Sequence, residues 1–338
     1  MTDYSIVGIT QGANQPSTRF RWSQYLDYLR ADGFSVAEMS SHFGAYAPSN
    51  TLLRPLWVAG SLMENAVRVG KANSFDIRFL QRNLTATLCT WEPFLKKPCV
   101  FDVDDAIFLG SRGSTAYKIA RSASLIICGN VFLANHFERC GPVEVLPTAV
   151  DTQRFLPGGQ RFDGRPVIGW SGSSSGLQYL YEIEPAILIV LNKYPDSLLK
   201  IMCNAPPSFK LLPPKRVVYE QWSPAREVAV LQEFDVGIMP LDDSLWARGK
   251  CSFKMLTYMA VGRPVVVSPV GMNAEVLAQG DCGFAASSHD DWVDGISSLL
   301  NDPGMADQMG SVGREIVEAR YARKIVGPQL ASLLRQQL

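Results

Sequence analysis

The chain has 338 residues, enough for two domains of ordinary size, and its hydrophobic fraction of 47% is that of a globular protein with a full core. Lys+Arg and Asp+Glu are both 32, so the net charge is zero and bulk binding to nucleic acid is not expected.

The opening stretch MTDYSIVGITQGAN has no basic region leading into an apolar one, so it does not read as a signal peptide. From there short apolar runs alternate with helical patterns, the signature of βαβ units and parallel sheets. In the first half, strands are expected at 5–10, 35–39, 76–80, 99–103, 125–128 and 143–146, with helices at about 19–31, 52–71, 114–123 and 131–140. The segment 52–69 (LLRPLWVAGSLMENAVRV) is amphipathic. Packing on its own sheet is the ordinary reading of such a helix, and peripheral membrane contact is the other. The Gly/Pro-rich stretch 147–166 reads as a linker. The pattern then restarts, with strands at 167–170, 198–202, 217–219, 236–239, 265–268 and 283–285. Helices fit at about 176–193, 224–233, 251–261, 273–279, 290–300, 304–318 and 323–337. The expected fold is therefore α/β, two doubly wound Rossmann-like domains facing an interdomain cleft, where substrates of such sheets bind.

Seven cysteines, an odd number with no CxxC pair, indicate a reducing compartment with neither a disulfide framework nor a zinc site. His42, His136 and His289 are too scattered for a metal site. No run approaches the ~18 apolar residues that span a membrane, and a cytoplasmic protein is expected.

Chemistry is suggested at five places. The strand at 167–170 enters Ser171-Gly172-Ser173-Ser174-Ser175 before a helix near Gly176. This is either a plain tight turn or a loop presenting N–H groups and hydroxyls to an anion. Lys250 and Lys254, preceded by Arg248 and Gly249, fall one turn apart at the expected start of the helix 251–261. Cations there oppose the helix dipole. A doubly charged phosphate would reverse the sign, and a solvated basic edge is the alternative. Asp102, Asp104 and Asp105 crowd the end of the strand 99–103 and repel one another unless a cation or hydroxyl is near. One of them, facing the cleft, then orients a hydroxyl or takes its proton, or Asp105 merely caps the next segment and the others are solvated. Trp222, at the end of the strand 217–219, could stack on a base or lid the core. Trp170 and Trp246, and the polar Asn273 and Glu275, are further candidates nearby. Arg19 and Arg21 are either cations for an anionic ligand or an ordinary exposed helix start.

Residues 235–241 (DVGIMPL), 249–256 (GKCSFKML), 258–266 (YMAVGRPVV) and 268–271 (SPVG) together resemble the retaining family 4 glycosyltransferases of the GT-B fold. Residues 149–157 (AVDTQRFLP) resemble that family's interdomain segment, and Arg19-Phe20-Arg21 a segment of its shorter bacterial members. The resemblance implies a nucleotide-sugar-binding domain at 156–320, an acceptor-binding domain at 1–155 and a last helix at 321–338 that packs back on the first. It implies a glycosyltransferase, of hexosyltransferase class, that uses a nucleotide diphosphate-sugar as co-substrate with no metal or other cofactor. Attack on the sugar would come from the face of the leaving diphosphate. The acceptor would be a hydroxyl on a saccharide, a lipid-linked glycan or a small molecule. Lys250, Lys254, Gly172, Ser173, Ser252, Trp222 and Arg19 would bind the donor. Lys254 would stabilise the leaving diphosphate, and Asp104 or Asp105 would serve the acceptor. The family's E-x7-E pattern falls on Gly249 and Thr257 here. Thr257 can still bond a ribose hydroxyl, but sugar recognition must come from elsewhere. An epimerase or hydrolase of nucleotide sugars, and a non-catalytic partner subunit, are the rival functions.

Overall fold

The computed structural model describes residues 4–12, 15–110, 113–159 and 162–338. They form two compact units, neither of them a continuous stretch of chain. The first comprises Met1–Ala149, Arg248–Cys251 and Arg323–Leu338, and the second Val150–Ala247 and Ser252–Ala322.

The first unit holds β1 (Tyr4–Thr10), β2 (Phe34–Ser40), β3 (Ile77–Gln81), β4 (Cys99–Val103), β5 (Leu125–Cys128) and β6 (Val143–Val145) in one sheet of order β2-β1-β3-β4-β5-β6. Every pair is parallel, with Ile6 opposite Ile77 and Val100 opposite Leu125. β3, β4 and β5 are buried along their whole length, as strands covered on both faces must be. The helices are α1 (Pro16–Arg21), α2 (Leu26–Ala31), α3 (Arg54–Ala72), α4 (Ser114–Ser122) and α5 (Val131–Phe137). The single helix expected at 19–31 is broken. Trp22 leaves helical geometry with φ −131° and lies stacked on Phe79 at 4.8 Å. A Cβ on Gly8 would fall 2.2 Å from the Trp22 ring, so glycine there is what admits the indole.

The second unit holds β7 (Val167–Gly172), β8 (Leu198–Cys203), β9 (Val217–Gln221), β10 (Val236–Met239), β11 (Val265–Val267) and β12 (Gly283–Ala285), in the order β12-β11-β10-β7-β8-β9. Read from the other edge this is the doubly wound 3-2-1-4-5-6 arrangement, whose switch point lies between β7 and β10. Its helices are α6 (Leu177–Glu182), α7 (Glu184–Lys193), α8 (Glu227–Gln232), α9 (Leu245–Arg248, its last residue in the first unit), α10 (Phe253–Ala260), α11 (Met272–Leu277), α12 (His289–Asn301) and α13 (Pro303–Ile316). Pro185, in the first turn of α7, splits the one helix expected at 176–193 into two, because its ring and missing N–H end the preceding helix.

The last helix, α14 (Arg323–Arg335), packs on α2 and places Val326, Leu330, Ala331 and Leu334 in the core that holds Ile6, Trp22, Tyr25 and Leu29. All seven thiols are free.

Candidate active site

In the second unit, the carboxyl end of β7 and the start of α10 meet. The Lys254 ammonium lies 5.2 Å from the centroid of the Trp170 ring. A Cβ on Gly172 would stand 2.4 Å from Lys254 Cε and 2.7 Å from Trp170 Cζ2, and one on Gly176 would stand 3.4 Å from the ammonium nitrogen. Both glycines therefore leave a bed for the lysine stem, floored by a Trp170 side chain that is buried. Ser171, Ser174 and Gly176 spend their N–H groups inside the unit, on Tyr258 Oη, Asn204 Oδ1 and Ser173 O. Ser173 and Ser175 pair their hydroxyls at 2.9 Å. The loop thus offers an anion a lysine more than a cradle of amides.

Ser252 caps α10 in the left-handed region, at φ 49°. Its hydroxyl donates to Asn273 Oδ1 at 2.6 Å, Asn273 Nδ2 donates to Ser268 O at 3.0 Å, and Ser268 Oγ accepts from Leu241 N at 3.0 Å. These buried bonds fix the start of α10, and Lys254 in its first turn, to the carboxyl ends of β10 and β11. Leu241 and Ser268 also line a cavity of about 500 Å³ beyond β10–β12, with Tyr179, Asp242, His289 and Trp292 among its walls. His289 donates Nε2–H to Glu182 O at 3.0 Å. The cavity has the size of a small-ligand site. Thr257 is buried and closes its hydroxyl on Lys254 O at 2.8 Å, so it turns into its own helix rather than outward. Trp222 is half-buried, with Nε1–H on Glu227 Oε1 at 3.3 Å. Trp246 and Glu275 are exposed, and Asn273 is fully buried.

Lys250 is not where the spacing put it. α10 begins at Phe253, and residues 248–251 belong to the first unit. There Asn130, which caps α5 by accepting from Leu133 N, also donates Nδ2–H to Arg248 O at 3.3 Å and Lys250 O at 3.1 Å. Cys251 Sγ reaches Asp104 O at 3.2 Å. A Cβ on Gly249 would lie 2.7 Å from Ala106 Cβ, and one on Gly129 would lie 2.2 Å from Cys251 Sγ. The close approach explains glycine at 249, the position of the first glutamate of the E-x7-E pattern.

The three carboxylates at the end of β4 are matched by cations. Arg21 is neither an exposed helix start nor a cation open to ligand. It is buried and paired with Asp102 through Nε (3.1 Å) and Nη2 (2.5 Å), and gives Nη1–H to Leu146 O at 2.7 Å. Burial works against its charge, and Asp102 outweighs that, so the guanidinium stays protonated. Arg19 is half-buried with its guanidinium 5.0 Å from the Phe20 ring.

Arg82, which sequence reasoning missed, pairs with Asp104 through Nε and with Asp105 through Nη2 at 2.6 Å. It stands one residue past β3 at φ 53°, a conformation uncommon for a residue with a side chain. No local pattern signals it, since its partners are more than twenty positions away. Burial pushes Asp104's pKa up, and Arg82, helped by Arg21 and Ser17, brings the carboxyl below the usual range. Burial and the neighbouring Asp104 push Asp105 up, against Arg82 and Lys250. Of the two, Asp105 is the better proton acceptor. Among the described residues, no three His, Cys, Asp or Glu side chains converge as a metal site. Nor is any helix among them long and apolar enough to cross a membrane.

Residues 165–302 match the family model described as Glycosyl transferases group 1. No curated protein sequence matches the chain. Among solved structures, sucrose-phosphate synthase from Thermosynechococcus elongatus is 15% identical at a TM-score of 0.74, with 98% of each chain covered. Anabaena HepE in complex with UDP and glucose is 14% identical at 0.73, covering 97% of this chain and 99% of that one. An E. coli trehalose-6-phosphate protein bound with UDP-2-fluoro glucose is 13% identical at 0.70, with 98% and 99% covered. The fold is GT-B, and the second unit carries a glycosyltransferase domain.

Proposed function

We propose that the chain transfers a sugar from a nucleotide diphosphate-sugar to a hydroxyl acceptor, with retention of configuration and without a metal or other cofactor. A UDP-sugar is the first donor to test, because HepE and the E. coli neighbour are seen with UDP compounds. One observation carries the reading: Lys254 lies in a bed made by Gly172, Gly176 and Trp170 at the start of α10. The ammonium and the start of the helix both favour an anion there.

In this reading Lys254 and the first turn of α10 take the charge that grows on the leaving diphosphate, so positioned electrostatics does most of the work. The Ser252–Asn273–Ser268 bonds keep that cation in place, and the first unit holds the acceptor near Asp105. The acceptor is a saccharide, a lipid-linked glycan or a small molecule. The enzyme works in the cytoplasm, in peripheral contact with a membrane. The test is a thermal-shift series with UDP, GDP, dTDP and their sugars, repeated on Lys254→Ala. A shift for one base that the variant loses supports the proposal, and no shift for any nucleotide overturns it.

A second reading, a non-catalytic partner subunit, is favoured by the absence of a carboxylate at both 249 and 257. Gly249 is pressed on Ala106, and Thr257 is closed on its own helix. Nucleotide-independent, tight association with a homologous transferase would decide for it.

A further inference from the structure

Helix α3 is inside out. Its inward face carries Ser61, Asn65 and Arg68 beside Val69 and Ala72, all buried. Arg68 donates to Thr10 O, Met39 O and Asn65 Oδ1. The apolar stripe points away from the sheet: Leu56 is 73% exposed, Met63 72% and Val67 56%, continued by Leu52 just before the helix. At 100° per residue, positions 52, 56, 59, 63, 67 and 70 fall within one narrow sector. None of them is charged. The charged residues of α3 lie elsewhere. Arg54 and Lys71 stand at its two ends, Arg68 is inward, and Glu64 is turned onto Ser41 Oγ and His42 N, both at 2.8 Å.

Aromatic and cationic groups rim this stripe. The Phe43 ring sits over Gly60, and Trp57 Nε1–H bonds Phe43 O at 2.9 Å. At the other end, Asn73 ties the helix to the neighbouring loop through Phe94 O (3.0 Å) and Lys96 N (2.8 Å). That loop exposes Phe94 and Trp91, with ring centroids 5.7 Å apart, followed by Lys96 and Lys97, both exposed. An uncharged stripe about 28 Å long with aromatics and lysines at its edges is the pattern of a helix lying in a membrane interface. Lysines flanking it match anionic headgroups.

We infer that the outer face of α3, with Phe94 and Lys96–Lys97, rests on a bilayer containing anionic lipid. This deepens the membrane contact of the proposed function, yet its test needs neither donor nor turnover. The full chain is floated with vesicles of phosphatidylcholine alone and of phosphatidylcholine with phosphatidylglycerol. Wild type should float with the anionic vesicles and less so as salt rises. Leu56→Glu/Met63→Glu should weaken that binding by ~10-fold or more, since two side chains lose their burial in lipid. The double variant should melt with the wild type, because both side chains are already in solvent.

Failure of wild type to float, or equal flotation of the double variant, overturns the inference. So does a wild-type dimer that the double variant dissolves, measured by light scattering, because a second copy would then be what covers the stripe. UDP binding measured on the same preparations reports separately on the donor site.

Discussion

Lys254→Met should leave the unliganded protein about as stable as before while removing most of its affinity for UDP. Two of the interactions of Lys254 in the empty protein oppose each other. The ammonium over Trp170, 5.2 Å from the ring centroid, contributes ~0.5–1 kcal/mol at a partly exposed site. The same cation in the first turn of α10 costs ~0.3–1 kcal/mol against the helix dipole. Methionine keeps a flexible apolar stem on the indole, so these two contributions should largely cancel. With a diphosphate present the balance is one-sided. A charge-assisted hydrogen bond contributes ~1.5–3 kcal/mol, which is roughly 10- to 150-fold in Kd. At UDP held near 100 times the wild-type Kd, the ligand stabilises wild type by ~2.7 kcal/mol and the variant by about 1.3 kcal/mol or less. Calorimetric titration gives the affinities, and urea unfolding with and without UDP gives the stabilities. Equal UDP affinity in the two proteins would refute the role assigned to Lys254. So would a large loss of stability without ligand, which would make the lysine a structural group.

Gly172→Ala should mimic that loss of UDP affinity with the charge still present, because its Cβ falls 2.4 Å from Lys254 Cε and the buried Trp170 cannot yield; titration of UDP checks it. Gly249→Glu, which places a carboxylate where the E-x7-E pattern has its first one, should destabilise the protein by ~1–3 kcal/mol in urea and add no transfer activity, since Ala106 occupies the space. Gly129→Ala should lever Cys251 out of its site. Its thiol, 8% exposed and pushed well up by burial, should then react with an aromatic disulfide reagent that wild type resists. Arg82→Met should cost about 3 kcal/mol at neutral pH, the low end for a broken buried pair. Asp104 is held below its ordinary pKa, so its pairing stabilises above the carboxylate range and is lost as pH falls through it. The gap between wild type and variant should accordingly shrink in acid, read from urea midpoints.

The twelve strands were legible because each is a short run of mostly β-branched or other apolar residues between turn-formers, and the alternation with helical patterns implied parallel sheets. Helix continuity was less legible. Pro185 carried a local signal that the apolar periodicity on either side masked, whereas the break at Trp22 depends on a cavity under Gly8 that only the folded sheet creates. In the site, the Gly172 loop and the Lys254 turn stood out as a strand end and a helix start. Their meeting over Trp170 followed from the order of the sheet. Charge partnership was the least legible part. Arg21 looks like a surface residue in sequence, yet its partner Asp102 lies 81 positions away. Lys250 and Lys254 are four apart in the chain, yet a change of backbone direction at Ser252, with φ 49°, puts them in separate units.

Helix α14 bears on how the protein is made. The first sheet draws Val326, Leu330, Ala331 and Leu334 into its core, and Arg335 grips Asp32 Oδ2 at 2.8 Å beyond them. A ribosome releases domains in order, and amino-terminal ones ordinarily fold while the rest is still being synthesised. Here that schedule is reversed. Until residues 323–338 have been translated, Trp22, Tyr25 and Leu29 lack that cover, so the core of the first sheet is completed only when the last helix is made.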